Sequence, residues 1–274
     1  MTTVTVTGAS GFLGKVVVAQ LIEQGFEVRA LSRKKIDAFE YVSSYFDSPL
    51  SDILIHLAET PDRGYVNKQT QDYAYDAIDL VKELCSKGYK KIIYASSGSL
   101  YGYVSEVPHN VTENISVSDI YSYIKLECEK VVLSYGGLVI RFSNLYGEGM
   151  SENNVFSDIL KQIPGSGCLY IRDGRTVCDF LYVNDAAVAL VVVCNKYIRS
   201  KIINVASGVG VSINSLIQLI FEVSSQSGRP IKSTHPSSSP SINILNIVET
   251  TRLIGWRPTT LLKDGIKHLL YREK

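Results

Sequence analysis

The chain has 274 residues, 28 Lys+Arg against 27 Asp+Glu, 45% hydrophobic residues and a formal net charge of +1. Charge so close to zero gives no global field for nucleic acid or an anionic membrane surface, so any anionic ligand has to be held by local groups. A chain of this length buries roughly 70 to 75% of the surface its unfolded form exposes, which supports one large domain or two modest ones without a disulfide scaffold.

Residues 3–7 alternate Val and Thr and run into a glycine, and residues 11–25 carry Phe12, Val16, Val17, Leu21 and Ile22 at helical spacing before ending on Gly25. That order reads as strand, tight turn, helix and C-cap. Short apolar runs at 27–31, 53–57, 91–95 and 138–142 predict further strands, and residues 73–87 and 121–134 predict helices. Strands written as continuous apolar runs and alternating with helices indicate a parallel sheet covered on both faces. The fold class expected is therefore α/β, a doubly wound parallel sheet with a smaller C-terminal lobe. Residues 1–145 form the dinucleotide-binding part and 146–274 mainly the substrate-binding lobe. In the second half, helices are expected near 155–163 and 183–194, a strand at 202–206 returning to the main sheet, and an irregular Ser- and Pro-rich loop at 224–241. About 20 residues separate the second strand from Ile53, too few for another helix and strand with their loops, so the adenine side of a cofactor site is expected to be open.

Five scattered cysteines with no C-x-x-C pair read as reduced thiols in a cytoplasmic protein. The N-terminus has no signal-peptide pattern. The longest purely apolar run, residues 186–194, is nine residues long, against about 18 needed to cross a bilayer, so neither a membrane nor a nucleic-acid partner is expected. No metal site is expected.

The segment TGASGFLG, residues 7–14, sets Gly8, Gly11 and Gly14 three apart between a strand and a helix. One glycine permits the tight turn, a second lets the backbone approach a pyrophosphate, and a third lets the helix pack closely, while the helix N-terminus offers free N–H groups. Ser10, Phe12 and Leu13 complete this candidate cofactor cradle; the bland alternative is an ordinary strand-to-helix turn. At the end of the second strand, where NAD enzymes place an acid, the chain reads ALSRKK. Ser32 holds that position and Arg33 follows, able to pair a 2′-phosphate in two-pronged fashion, which predicts NADP with NAD as the lesser possibility. The alternative there is a solvated basic loop.

Tyr121 and Lys125 lie four apart on a predicted helix and share a face. An ammonium beside a phenol favours the phenolate and suits the tyrosine to proton exchange near neutral pH. Such a pair also occurs on ordinary surface helices; here the strand ending in YASSGSLYG brings Ser96 and Ser97 to the same edge of the sheet, as substrate contacts or merely as turn caps.

With these pieces together the chain resembles the extended short-chain dehydrogenase/reductase family of nucleotide-sugar epimerases, dehydratases and ketoreductases. The resemblance rests on TGASGFLG (7–14), IHLAE (55–59), YASSGSLYG (94–102), YSYIK (121–125), IRFSNLYGEG (140–149), CDFLYVNDAA (178–187), NVASG (204–208) and IGWRP (254–258), and so covers almost the whole chain. It implies Ser97, Tyr121 and Lys125 as the catalytic set, Leu57 and Ala58 along the cofactor, and Asn144 on the substrate, with Ser99 beside Ser97. Where dehydratases of the family carry two acids after the serine, this chain has Gly98 and Ser99, which argues against elimination of water. The arginine of the family's V-R-D-F/Y pattern is Cys178 here, a second arginine would fall near His235, and an asparagine expected at the start of the helix before the fourth strand is Tyr73. The diphosphate contacts are therefore expected from Arg172 or Arg175. The reading is an NADP-dependent ketoreductase of a nucleotide-linked 4-keto-6-deoxy sugar, with an NAD-dependent nucleotide-sugar 4-epimerase and a non-catalytic dinucleotide sensor as alternatives. The resemblance also implies a homodimer through a four-helix bundle of the helices near 73–87 and 121–134.

Overall fold

The computed structural model describes residues 1–103, 107–226 and 228–271. In chain order the first half holds β1 (Thr3–Thr7), α1 (Phe12–Glu23), β2 (Glu27–Ser32), β3 (Glu40–Tyr41), β4 (Ile53–His56), α2 (Arg63–Val66), α3 (Gln71–Ser86), β5 (Lys91–Ser97), α4 (Ile120–Ser134) and β6 (Leu138–Phe142). The second half holds β7 (Asn144–Tyr146), α5 (Val155–Gln162), β8 (Leu169–Ile171), β9 (Val177–Tyr182), α6 (Val183–Cys194), β10 (Ile202–Val205), β11 (Gly210–Ser212), α7 (Ile213–Val223), β12 (Ile231–Ser233), β13 (Ile242–Asn243), α8 (Val248–Ile254) and α9 (Leu262–Leu270).

The apolar runs become one seven-stranded parallel sheet in the order β3-β2-β1-β4-β5-β6-β10. Strands β4 and β6 are buried along their whole length, as their lack of alternation requires, because helices cover both faces. Val17 and Leu21 of α1 and Ala186, Leu190 and Val193 of α6 pack with Val4, Val6, Ile55 and Ile140 on one face. Val81 and Leu84 of α3 and Ile124, Cys128 and Val132 of α4 pack with Leu54, Tyr94 and Val139 on the other. This is the Rossmann-like doubly wound order, and the direction in which successive strands are added reverses between β1 and β4, which opens a crevice at their carboxyl ends.

The lobe has its own core around Tyr146, Phe156, Ile159, Phe180, Leu216 and Ile220. Its central strand β9 pairs antiparallel with β11 and parallel with β7 and β13. The lobe is tied to the main sheet by the buried Asp179, whose carboxylate accepts from Ser207 N–H (2.9 Å), the Ser207 hydroxyl (2.7 Å), Gly208 N–H (3.0 Å) and Leu245 N–H (3.3 Å).

Two local expectations change. Residues 224–241 include a strand, β12, which pairs in parallel with β8; a three-residue strand directly after Pro230 is too short to show a period. The short connection after β2 is filled by β3 and a 3₁₀ turn, Tyr45–Asp47, which seats Tyr45 in a small cluster with Leu31 and Val42. Its buried hydroxyl accepts from Gly8 N–H at 3.2 Å, so a side chain backs the glycine turn where an open edge was expected. All five cysteines are free thiols, and among the described residues no helix is long and apolar enough to cross a membrane.

Candidate active site

The first link is backbone geometry. Gly8 sits at φ +70°, and a Cβ on it would lie 2.7 Å from the Leu57 carbonyl oxygen and 2.8 Å from Ala58 Cα. A Cβ on Gly14 would lie 2.2 Å from the Gly8 carbonyl oxygen. Both glycines are therefore forced by close approach, of the loop after β4 and of α1 respectively. Gly11 caps α1 without a side-chain acceptor, and the first turn of this 12-residue helix carries no acid, so its N–H groups stand free for an anion. Gly11, Phe12, Leu13, Gly14 and Leu57 line a cavity of about 550 Å³. Ala58 lines a neighbouring cavity of about 420 Å³ with Arg33 and Tyr45. This cradle fits a dinucleotide: bare N–H groups for its phosphates, glycines where its backbone neighbours crowd, and a cation at the far end.

Ser10 and Ser32 face each other rather than these cavities, with hydroxyls 2.8 Å apart. The Ser32 hydroxyl also closes the basic turn, donating to the Lys34 carbonyl and accepting Lys34 N–H, both at 2.9 Å. Arg33 lies over the Tyr45 ring, 5.3 Å from its centroid.

Helix α4 brings the second link. Asp119 caps it in a reciprocal box with Ser122, and Arg63 and Asn67 hold the Asp119 carboxylate at 2.5 and 2.8 Å. Asn67 also accepts Tyr121 N–H at 3.0 Å, so α2 fixes the start of α4. Tyr121 and Lys125 line both cavities. The Lys125 ammonium lies 6.0 Å from the Tyr121 ring centroid and donates to the Ala95 carbonyl at 2.8 Å. It also pairs with Glu59 at 2.7 Å, an acid that sequence reading passed over although IHLAE ends on it. Its only sequence signal is its place at the carboxyl end of a parallel strand, where ligands gather. Burial works against both charges, yet Lys125, helped by His56 and Tyr94, holds the Glu59 carboxyl below its usual range, and Glu59 holds the Lys125 ammonium above its own.

Ser97 lines the larger cavity at the end of β5, and its hydroxyl both accepts Ser99 N–H at 3.2 Å and lies 2.9 Å from the Ser99 hydroxyl. It thus caps a turn and faces the site at once. Ser96 gives its hydroxyl to the buried Glu129 at 2.5 Å. Toward the lobe the cavity is walled by Asn144, Met150, Asn153, Asn154, Phe156 and Phe180. Asn144 donates to the Asp179 carbonyl at 3.2 Å. Ser99, Arg172 and Arg175 are not among the lining residues. Arg175 forms a two-pronged pair with Asp173 (3.0 and 2.8 Å) and also donates to the Ser237 carbonyl, so its guanidinium is already taken by the lobe. Cys178, at the family arginine's position, packs against the lobe core, its thiol pushed up to about 11 by burial. Tyr73 lines the smaller cavity and leans toward Thr60 at 3.4 Å. Among the described residues, no cluster of His, Cys, Asp and Glu is placed to hold a metal.

A doubly wound sheet that brings a glycine turn, a Tyr and Lys one helical turn apart, and a strand-end serine to one crevice defines the short-chain dehydrogenase/reductase class. The model described as "NAD dependent epimerase/dehydratase family" matches residues 4–206, and the chain belongs to that family. It is 26% identical to a putative UDP-glucose 4-epimerase of Methanocaldococcus jannaschii, over 97% of each chain. It is equally 26% identical to the dTDP-4-dehydro-6-deoxyglucose reductase of Escherichia coli, over 97% of this chain and 96% of that one. The solved structure of RMD from Pseudomonas aeruginosa complexed with NADPH superposes with a TM-score of 0.85 at 23% identity, covering 98% of each chain.

Proposed function

We propose that the chain is an NADP-dependent oxidoreductase that reduces the keto group of a nucleotide-linked 4-keto-6-deoxy sugar. The observation that carries the reading is the meeting of Tyr121, Lys125 and Ser97 with the bare start of α1 in one cavity. The dinucleotide, when bound, supplies hydride to the carbonyl carbon. Tyr121, whose hydroxyl has no hydrogen-bond partner among the described residues, gives its proton to the oxygen that gains charge; Ser97 orients that oxygen; Lys125 favours the phenolate left behind and offers an N–H to the nicotinamide ribose. Gly8, Gly11, Phe12, Leu13, Gly14, Leu57 and Ala58 would hold the dinucleotide, with Arg33 on its 2′-phosphate and Ser10 and Ser32 shaping that turn. Asn144 would contact the substrate. Asn153, whose amide keeps one N–H beside its bond to Asp62, gives that end an uncharged donor for a diphosphate; Arg175 would join only if its pairing with Asp173 were released, and Arg172 only by turning in from outside the cavity.

The alternative is a nucleotide-sugar 4-epimerase, favoured by the Methanocaldococcus relative, which is as similar as the reductase. A cytoplasmic location and a homodimer through α3 and α4 complete the proposal.

NADPH oxidation followed by absorbance against CDP-, dTDP-, GDP- and UDP-linked 4-keto-6-deoxy sugars tests it. Net oxidation is expected with one of them, NADPH binding tighter than NADH, and a fall in kcat of about 10²- to 10⁴-fold in Tyr121→Phe. Conversion of a sugar without net loss of NADPH would identify the epimerase, and tight dinucleotide binding with no turnover would identify a sensor.

A further inference from the structure

The Glu59 carboxylate stands where the two cavities meet, and no step proposed above uses it. One oxygen accepts the Tyr94 hydroxyl at 2.6 Å; the other faces the Lys125 ammonium at 2.7 Å. With Ala95 O as its second partner, the ammonium has two of its three N–H groups engaged by protein and one left for a ligand. The Lys125 and Glu59 side chains are only 9% and 14% exposed. A lysine buried to that extent without a partner sheds its proton well below the usual lysine range.

Several other groups face this pair. His56 comes from β4, Tyr94 from β5 with its ring centroid 5.1 Å from the ammonium, and Tyr121 and Cys128 from α4. Tyr73 and Asp76 of α3 and Arg33 line the same cavity, and Arg63 of α2 acts on Tyr121. Burial pushes the Tyr94 hydroxyl and the Cys128 thiol well up and holds His56 down at about 4, so all three are neutral at pH 7. Glu59 is the group at ion-pair distance from the ammonium.

We propose that Glu59 is a positioning residue for Lys125: anchored by Tyr94, its carboxylate fixes the ammonium at the junction of the cavities, charged and with one N–H turned to the dinucleotide. What the ammonium is held toward rests on the dinucleotide reading; the pair itself is tested without any ligand. Competitive acylation with a small amine reagent across pH, read at the Lys125 peptide by mass spectrometry with the exposed Lys15 as internal reference, reports when Lys125 loses its proton. In Glu59→Gln the labelling midpoint is expected to move down by at least about one pH unit, a tenfold gain in labelling at a fixed pH below it. Tyr94→Phe, which keeps the carboxylate and removes its anchor, should shift it less; this variant decides if Glu59→Gln does not fold. A midpoint unchanged in the folded variants overturns the proposal. In parallel, NADPH fluorescence titrations should show Glu59→Gln losing affinity at alkaline pH where the wild type keeps it, and identical pH dependence would count equally against the role. A wild type that bound neither NADPH nor NADH would overturn the dinucleotide reading, while labelling still decided the pair.

Discussion

His56 shows how a side chain can wall the site and yet be set by the core. Its Nδ1 lies 2.7 Å from the Thr7 hydroxyl and its ring stacks on Tyr94 at 6.0 Å. Burial holds its pKa down at about 4, against 6.5 in the open chain, with Lys125 adding to the shift and Glu59 opposing it. Between those two values the unfolded chain binds a proton that the folded chain does not, so stability is lost as pH falls through that window. Two and a half units correspond to about 3 kcal/mol for this group. Urea unfolding of wild type and His56→Gln at pH 7 and pH 4 should therefore show a pH dependence smaller by about that amount in the variant; equal dependence would mean that His56 is protonated in the fold. At this scale the glycines were legible because each answers a local demand, at Gly8 a positive φ and at Gly14 a backbone 2.2 Å from any Cβ. Glu59 was not, because its partners Tyr94 and Lys125 are 35 and 66 residues away and nothing in IHLAE announces them.

Helix α4 carries Tyr121 and Lys125 and is held at two places along its length. At its start, Asp119 is gripped by Arg63 and Asn67. Further along, Glu129 accepts a two-pronged pair from Arg141 of β6 (2.9 and 2.6 Å) and the Ser96 hydroxyl, all inside the core. Arg141 also lies over the Tyr101 ring at 4.9 Å, and Tyr101 donates to Asn204 of β10 at 2.7 Å, so the network crosses three strands. Taking one partner from a buried ion pair strands the other charge and costs about 3–5 kcal/mol, whereas apolar replacement of both is close to neutral. Arg141→Met should lower the urea midpoint by the corresponding amount, and adding Glu129→Leu should restore most of it; a double variant as unstable as the single one would show that Ser96 and Tyr101 depend on the charges. Such buried acids and bases were not legible from the strand motifs, since a charged residue inside IRF reads only as an interruption of an apolar run.

The core of the main sheet was legible because a strand buried on both faces must be written as an apolar run, as β4, β5, β6 and β10 are. The lobe was not, because β7, β8, β11, β12 and β13 are two or three residues long: β7, β11 and β13 take their places from β9, and β8 and β12 from each other, by pairing that no local period encodes. Assembly is the remaining question at this scale. Helices α3 and α4 pack side by side on one face of the sheet, and they carry half-buried Ile78, Tyr123 and Val131 beside the 51% exposed Tyr75. Apolar groups left partly open on two adjacent helices suit a second copy related by a two-fold axis, which would place the same four positions against each other. Sedimentation of the wild type should therefore give the mass of a dimer, and Ile78→Glu that of a monomer; a monomeric wild type would end the proposal. Residues of this chain already enclose both cavities, so the monomeric variant should still bind NADPH provided α4 keeps its seat on the sheet. Loss of binding together with loss of the dimer would instead mean that the partner copy stiffens the helix that bears Tyr121 and Lys125.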